Sequence, residues 1–210
     1  MFQIQPIKLL KGSHDDTGKT GQGCFMNVVA YLNGEKIITD QSACVCASIR
    51  PIVIWLNDFA VPNNRGEQLL PFLLRAMGSA TTEKETLNKR MKAVKKFAVD
   101  IASLAKKYAE RMEDKAPGLA GQARREALRA DDQSFQAECT NDISQAAMHA
   151  AMAALHAQEA LSYCYFPSSV VEFLNCGLTF MEEACPPLSE ADEIVVERAN
   201  KLYEIAAASA

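Results

Sequence analysis

The stretch that decides the fold is Ala146–Leu161, AAMHAAMAALHAQEAL, in which eight of sixteen residues are alanine. Alanine has the highest intrinsic helix propensity, and its small side chain lets neighbouring helix backbones approach closely. At about 100° per residue, Ile143, Ala147, Ala151 and Ala154 share an apolar face, while Glu138, Asp142, Gln145, His149 and His156, with Glu159 close by, form a polar stripe. The spacing predicts one long helix, from around Gln122 or Asp131 to Tyr165, with Pro167 ending it.

Outward from this stretch the same spacing recurs. Thr82 with Glu85 reads as a capping box opening a second long helix to about Met112, with Leu87, Met91, Val94, Ala98, Ile101, Leu104 and Tyr108 inward. Cys24 to Leu32 is a shorter helix stopped by Asn33-Gly34, and Asp40 offers a cap for another running to Phe59, bent near Pro51. Asn63-Asn64 mark a turn before a helix through Leu69, Phe72, Leu73 and Met77. Val170 to Phe180 and Ile194 to Ile205 are the last two, the final one capped by Ser189. Alternating runs rich in Val, Ile and Thr are nearly missing. The fold expected is all-α, a compact bundle of six to seven helices, two of them long. Pro117-Gly118 is the point where a boundary is expected, giving an N-terminal region 1–115 and a C-terminal region 116–210 packed into the same core.

Composition excludes several classes. The chain has 210 residues, 49% hydrophobic, enough to bury a real core. A net charge of -4 gives neither the basic excess of a nucleic-acid binder nor a disordered acidic tail. From Glu83 to Lys115 ten Lys or Arg face six Asp or Glu, but the aromatic residues that would stack bases are not interleaved with the basic face, so nucleic acid is not expected. No segment approaches the roughly 20 uncharged apolar residues of a membrane span, and no basic leader precedes an apolar run, so a cytoplasmic protein is expected. Seven cysteines, an odd count, are expected as free thiols.

Gly12–Cys24, GSHDDTGKTGQGC, carries the Gly18-Lys19-Thr20 triplet that ends a phosphate-binding loop. That loop needs a glycine five positions before its Gly-Lys pair, where this chain has Ser13, and the triplet is followed by Gly-Gln-Gly. A flexible polar turn is the favoured reading. His14, Cys24, Cys44 and Cys46 form a candidate zinc set, because imidazole and thiolates are what zinc prefers. Two cysteines spaced Cys-x-Cys within a helix would point about 200° apart, so both reach one ion only outside regular helix. On the alanine-rich helix, two histidines and several carboxylates could likewise hold a metal or relay protons, although the Glu-x-x-His order of di-iron bundles is reversed as His156-Ala-Gln-Glu159.

GSH, Gly-x-Cys, AYLNGE, Asp40 before ACVC, Leu-Asn-Asp and LLPFLLRAMGSATT occur in that order from Gly12 to about Tyr108. This set resembles an uncharacterised family of small proteins common in actinobacteria and their bacteriophages. Position 27 departs from it, with Asn where the family pattern has glutamate, and the tryptophan is displaced to Trp55. The resemblance implies that His14, Cys24, Glu35, Asp40, Cys44, Asn57, Asp58 and Arg75 belong to one feature of the fold; it implies no activity.

Three functions follow as expectations. The first is a non-enzymatic binding protein, derived from a phage or mobile element, that sequesters a host protein or a small anionic ligand. Its site would lie where Gly12–Cys24 meets the next helix starts, with His14, Lys19, Glu35, Asp40, Asn57, Asp58 and Arg75 as ligand-binding residues. The second is a metal-dependent hydrolase with zinc on His14, Cys24, Cys44 and Cys46, or an Asp40 ligand, and Glu35 as general base. In the third, a structural homo-oligomer, the alanine-rich helix is the interface.

Overall fold

A computed structural model of the chain describes residues 7–12, 14–59, 65–113, 116–164, 167–185 and 193–208. The described residues form a mostly helical protein with a two-stranded sheet. The elements are β1 (Lys8–Leu9), α1 (Thr17–Thr20), β2 (Gln22–Gly23), α2 (Phe25–Asn33), α3 (Arg50–Phe59), α4 (Arg65–Ala76), α5 (Lys84–Glu113), α6 (Pro117–Cys139), α7 (Ile143–Ser162), α8 (Pro167–Ala184) and α9 (Glu193–Ala208). Asn63, Asn64 and Ser189 lie outside the described residues.

Two compact units emerge. Unit 1 combines Met1–Cys46, Leu56–Thr81 and Cys185–Ala210; unit 2 combines Ala47–Trp55 and Thr82–Ala184. The division therefore falls elsewhere than the Pro117-Gly118 turn. Pro117 occupies the first position of α6, where its missing N–H costs nothing, so it starts a helix that packs back on α5.

In unit 1, β1 and β2 pair in parallel, Lys8 with Gln22 and Leu9 with Gly23. α2 is the centre: Phe25, Met26, Val28, Val29, Ala30 and Leu32 are all buried, and a helix apolar all round must be covered on every side. α1, α4 and α9 cover it. Its end matches the expectation, with Gly34 left-handed at φ 76° and its N–H returned to Ala30 and Tyr31 carbonyls. Gly21, at φ 70°, closes α1 against α9: an added Cβ would lie 2.6 Å from the Leu202 carbonyl oxygen. Asp40 does not cap a helix. Residues 41–49 are turns and irregular backbone, and α3 begins only at Arg50, with Pro51 in its first turn, where proline is tolerated and the helix is not bent.

Unit 2 is built on α5, α6, α7 and α8. α5 starts at Lys84, with the Thr86 hydroxyl donating to Glu83 at 2.6 Å; α5 packs against the other three, and α6 packs against α7. The single helix expected up to Tyr165 is in fact two. Thr140 leaves α6 in an extended conformation, and the Asp142 carboxylate accepts the Ser144 and Gln145 N–H groups at 2.8 and 2.9 Å, starting α7 anew. Ala146, Ala147, Ala150, Ala151, Ala153, Ala154, Ala157 and Ala160 are all buried. Small side chains on α5, α6 and α7 bring three backbones together, and larger ones fill the rest: Phe97 meets Trp55 and Phe180 at centroid distances of 5.7 and 5.4 Å. The alanine face is thus buried inside the chain.

Candidate functional site

The N-terminal motif residues meet around the start of α2, in bonds that build backbone. Cys24 is the N-cap: its sulfur accepts the Asn27 N–H at 3.4 Å while its thiol donates to Asn27 Oδ1 at 2.9 Å. Asn27 Oδ1 also accepts the His14 N–H at 2.7 Å, so position 27, where the resemblance led one to look for glutamate, ties the preceding loop to the helix. Asn57 reaches in from α3, accepting the Phe25 N–H at 3.2 Å and donating to the Leu10 carbonyl at 2.9 Å. Asp58 accepts the Gly12 N–H at 3.0 Å.

These bonds spend the groups an anion would need. The first amides of α2 go to Asn57, to the Cys24 sulfur and to the Cys24 carbonyl. The Gly18-Lys19-Thr20 triplet forms the single turn of α1, in which the Lys19 and Thr20 N–H groups both bond the Asp16 carbonyl and Gly21 bonds Thr17. The Lys19, Thr20 and Gly21 amides are thus spent within the turn, where a phosphate loop would turn them to its ligand. Lys19 itself is exposed.

The other expected ligands lie in separate bonds. Glu35 takes the Ser42 hydroxyl and, at 3.1 Å, the Asn33 amide; the Cys44 sulfur sits 3.1 Å from the Ser42 hydroxyl. Arg75 donates to the Cys185 carbonyl and covers the Phe72 ring at 5.0 Å. No three of His14, Cys24, Cys44 and Cys46 converge on one point. The His14 Nε2 atom is engaged with the Lys11 carbonyl at 2.9 Å, and Cys46 is buried. Burial pushes the Cys24 thiol above its ordinary value against the pull of the Asn27 and Met26 N–H groups, and the Asp40 and Asp58 carboxylates push it further. A thiol held protonated is a poor zinc ligand and a poor nucleophile.

The alanine-rich helix carries the alternative. Along α6 and α7, Glu126 meets His156 and Gln133 meets His149: His156 Nδ1 lies 3.0 Å from Glu126 Oε2, and His149 Nδ1 lies 2.9 Å from Gln133 Oε1. The partners are seven residues apart on each helix and run in opposite order, as antiparallel helices demand. Arg129 donates to the other oxygen of Glu126 at 2.7 Å. Glu159, one turn beyond His156, completes a trio, Glu126, His156 and Glu159, whose ligand atoms lie within 4.8 Å of one another. Among the described residues it is the one group of three or more His, Cys, Asp or Glu side chains so placed.

Beside the trio lies a cavity of about 490 Å³ lined by Met152, Leu155, His156, Gln158, Glu159 and Ser162. Gln158 is fixed by the Trp55 indole N–H at 3.2 Å. Met148, Met152 and Leu155, at helical spacing along the outer side of α7, are 53%, 38% and 47% exposed and together make an apolar strip beside the cavity. Reading the stripe on α7 alone missed Glu126, which is supplied by a different helix. The signal was the matching seven-residue spacing of Glu126 and Gln133 on one helix and His149 and His156 on the next. No helix is long and apolar enough to cross a membrane among the described residues. No protein-family model, curated protein or solved structure matches the chain.

Proposed function

We propose that the protein is a non-enzymatic binding protein that takes up an apolar segment of a partner polypeptide along α7. The observation that supports this is the ridge of Met148, Met152 and Leu155 beside the 490 Å³ cavity. A concave, partly apolar site with a few fixed polar groups is the usual form of a binding pocket, and methionine adapts its shape to what it meets. Covering the exposed half of these three side chains supplies roughly 1 kcal/mol each, which makes for transient association unless the polar rim of Gln158, Glu159 and Ser162 adds to it. The motif residues of the N-terminal region serve this reading as scaffold, since their polar groups close the fold on itself.

The test is site-specific photo-crosslinking in cell extract, with the crosslinking residue at Met152 and a control at Lys89 on α5. The reading requires one polypeptide captured from position 152 and not from 89, and lost in a Met148→Glu, Leu155→Glu variant of unchanged helical content. Equal capture at both positions, or capture that survives the two charges, defeats it. A second reading, a metal-dependent hydrolase, is favoured by the approach of Glu126, His156 and Glu159, and needs a metal there and not on the N-terminal cysteines.

A further inference from the structure

We infer that Glu126, His156 and Glu159 form a binding site for one divalent transition-metal ion that bridges α6 and α7 and keeps open coordination positions toward the adjoining cavity. The inference is independent of partner binding along α7. It would survive the loss of that reading.

Three features carry it. The first is convergence: an imidazole and two carboxylates from two helices place ligand atoms within 4.8 Å of one another. Zinc or cobalt bonded at about 2.0–2.2 Å holds neighbouring ligand atoms roughly 3.5 Å apart; His156 Nδ1 and Glu126 Oε2, at 3.0 Å, are already that near, so the remaining adjustment falls on Glu159. Glu159 is exposed, and its carboxylate can supply that movement by rotamer change.

The second is orientation. Glu126 is nearly buried, with a side chain 12% exposed, and Arg129 holds its Oε1 so that Oε2 is left turned toward His156. A charged side chain fixing the outer oxygen of a carboxylate is the way protein metal sites set the geometry of a ligand. The guanidinium also opposes a cation by its charge, but two carboxylates against one arginine leave the pocket net negative. The imidazole can ligate through Nδ1 once its proton resides on Nε2, a change of tautomer that releases no proton from the neutral ring.

The third is vacant space on one side. His156 and Glu159 both line the 490 Å³ cavity, so two of the three ligands border space in which water or a substrate group could complete the coordination of an ion. One nitrogen and two carboxylates, without thiolate, suit borderline Zn²⁺ and Co²⁺ or the harder Mn²⁺ over soft copper(I).

Co²⁺ is the probe that tests this, titrated into the full chain under reducing conditions and read by its visible d–d absorption and by calorimetry. One equivalent should bind without the near-ultraviolet charge-transfer band of cobalt thiolate, and Glu159→Gln and His156→Gln should each weaken it at least about ten-fold. Glu159 is exposed, so its variant should keep the fold, and circular dichroism of both variants checks it. Failure to saturate at millimolar Co²⁺ and Zn²⁺ overturns the site. So does binding that is indifferent to both substitutions, and so does a thiolate band, which would put the ion on the cysteines.

Discussion

Asn57 shows how much a single side chain can fasten. Buried in unit 1, it accepts from the first residue of α2 and donates to the Leu10 carbonyl beyond β1, so one amide holds a helix start and a strand end in register. Asn57→Ala strands the buried Phe25 N–H and the part-buried Leu10 C=O together. A loss of about 2–3 kcal/mol is expected, measured as a lower urea midpoint with unchanged slope. The importance of Asn57, Asp58 and Cys24 was legible in their order along the chain, but their role was not. A residue-by-residue reading treats Asn, Asp and Cys as groups available for ligands, whereas in the fold the nearest unsatisfied groups are backbone amides. Those amides become visible only when Asn57 is brought beside Phe25 across thirty-two positions.

At the scale of elements, helical periodicity was enough to find α2, α4, α5, α8 and α9, because each has an apolar face wide enough to show in a short window. It failed at Thr140-Asn141-Asp142. Alanine on both sides of that triplet keeps the helical pattern running, while a cap consists of one side chain bonding two amides and leaves no mark on periodicity. Asp142→Ala removes the bond to the Ser144 and Gln145 N–H groups; about 1 kcal/mol of stability is expected to go, with faster amide exchange confined to the first turn of α7. Asp40 is the converse case. It has the right chemistry for a cap and no helix to follow it, because Ser42, Ser48 and Pro51 favour turns over the intervening stretch.

For the whole molecule, stability should depend on acid in a defined direction. Glu172 on α8 accepts from Lys107 and from the Tyr108 hydroxyl on α5, at 2.7 and 2.8 Å, and these hydrogen bonds hold its carboxyl below the ordinary 4.5. A carboxyl lowered by folding stabilises the native state fully above its unfolded value, and the contribution is lost as pH falls through the folded one. The urea midpoint should therefore drop as pH is taken from 6 to 3, and Glu172→Gln should flatten part of that drop. An equal fall in both proteins would show that this carboxylate has no share in it. Helical content could be read from composition and spacing, whereas the division into units could not. Unit 1 is assembled from three separated stretches, and no local punctuation marks where a chain leaves one core and later returns to it.

The seat of Gly21 against α9 has a consequence for synthesis. The loop around Gly21 is completed by the Leu202 and Ala206 backbone, and the Leu32 carbonyl at the end of α2 is bonded by Arg198, so α2 is covered on one side by a helix translated only after all of unit 2. At ribosomal rates of about 5–20 residues per second, α2 waits on the order of ten seconds with one flank uncovered. Over that interval the nascent chain displays the α9-facing side of α2 to whatever chaperone attends the ribosome, while the sequence of unit 2, complete by Ala184, is free to fold first.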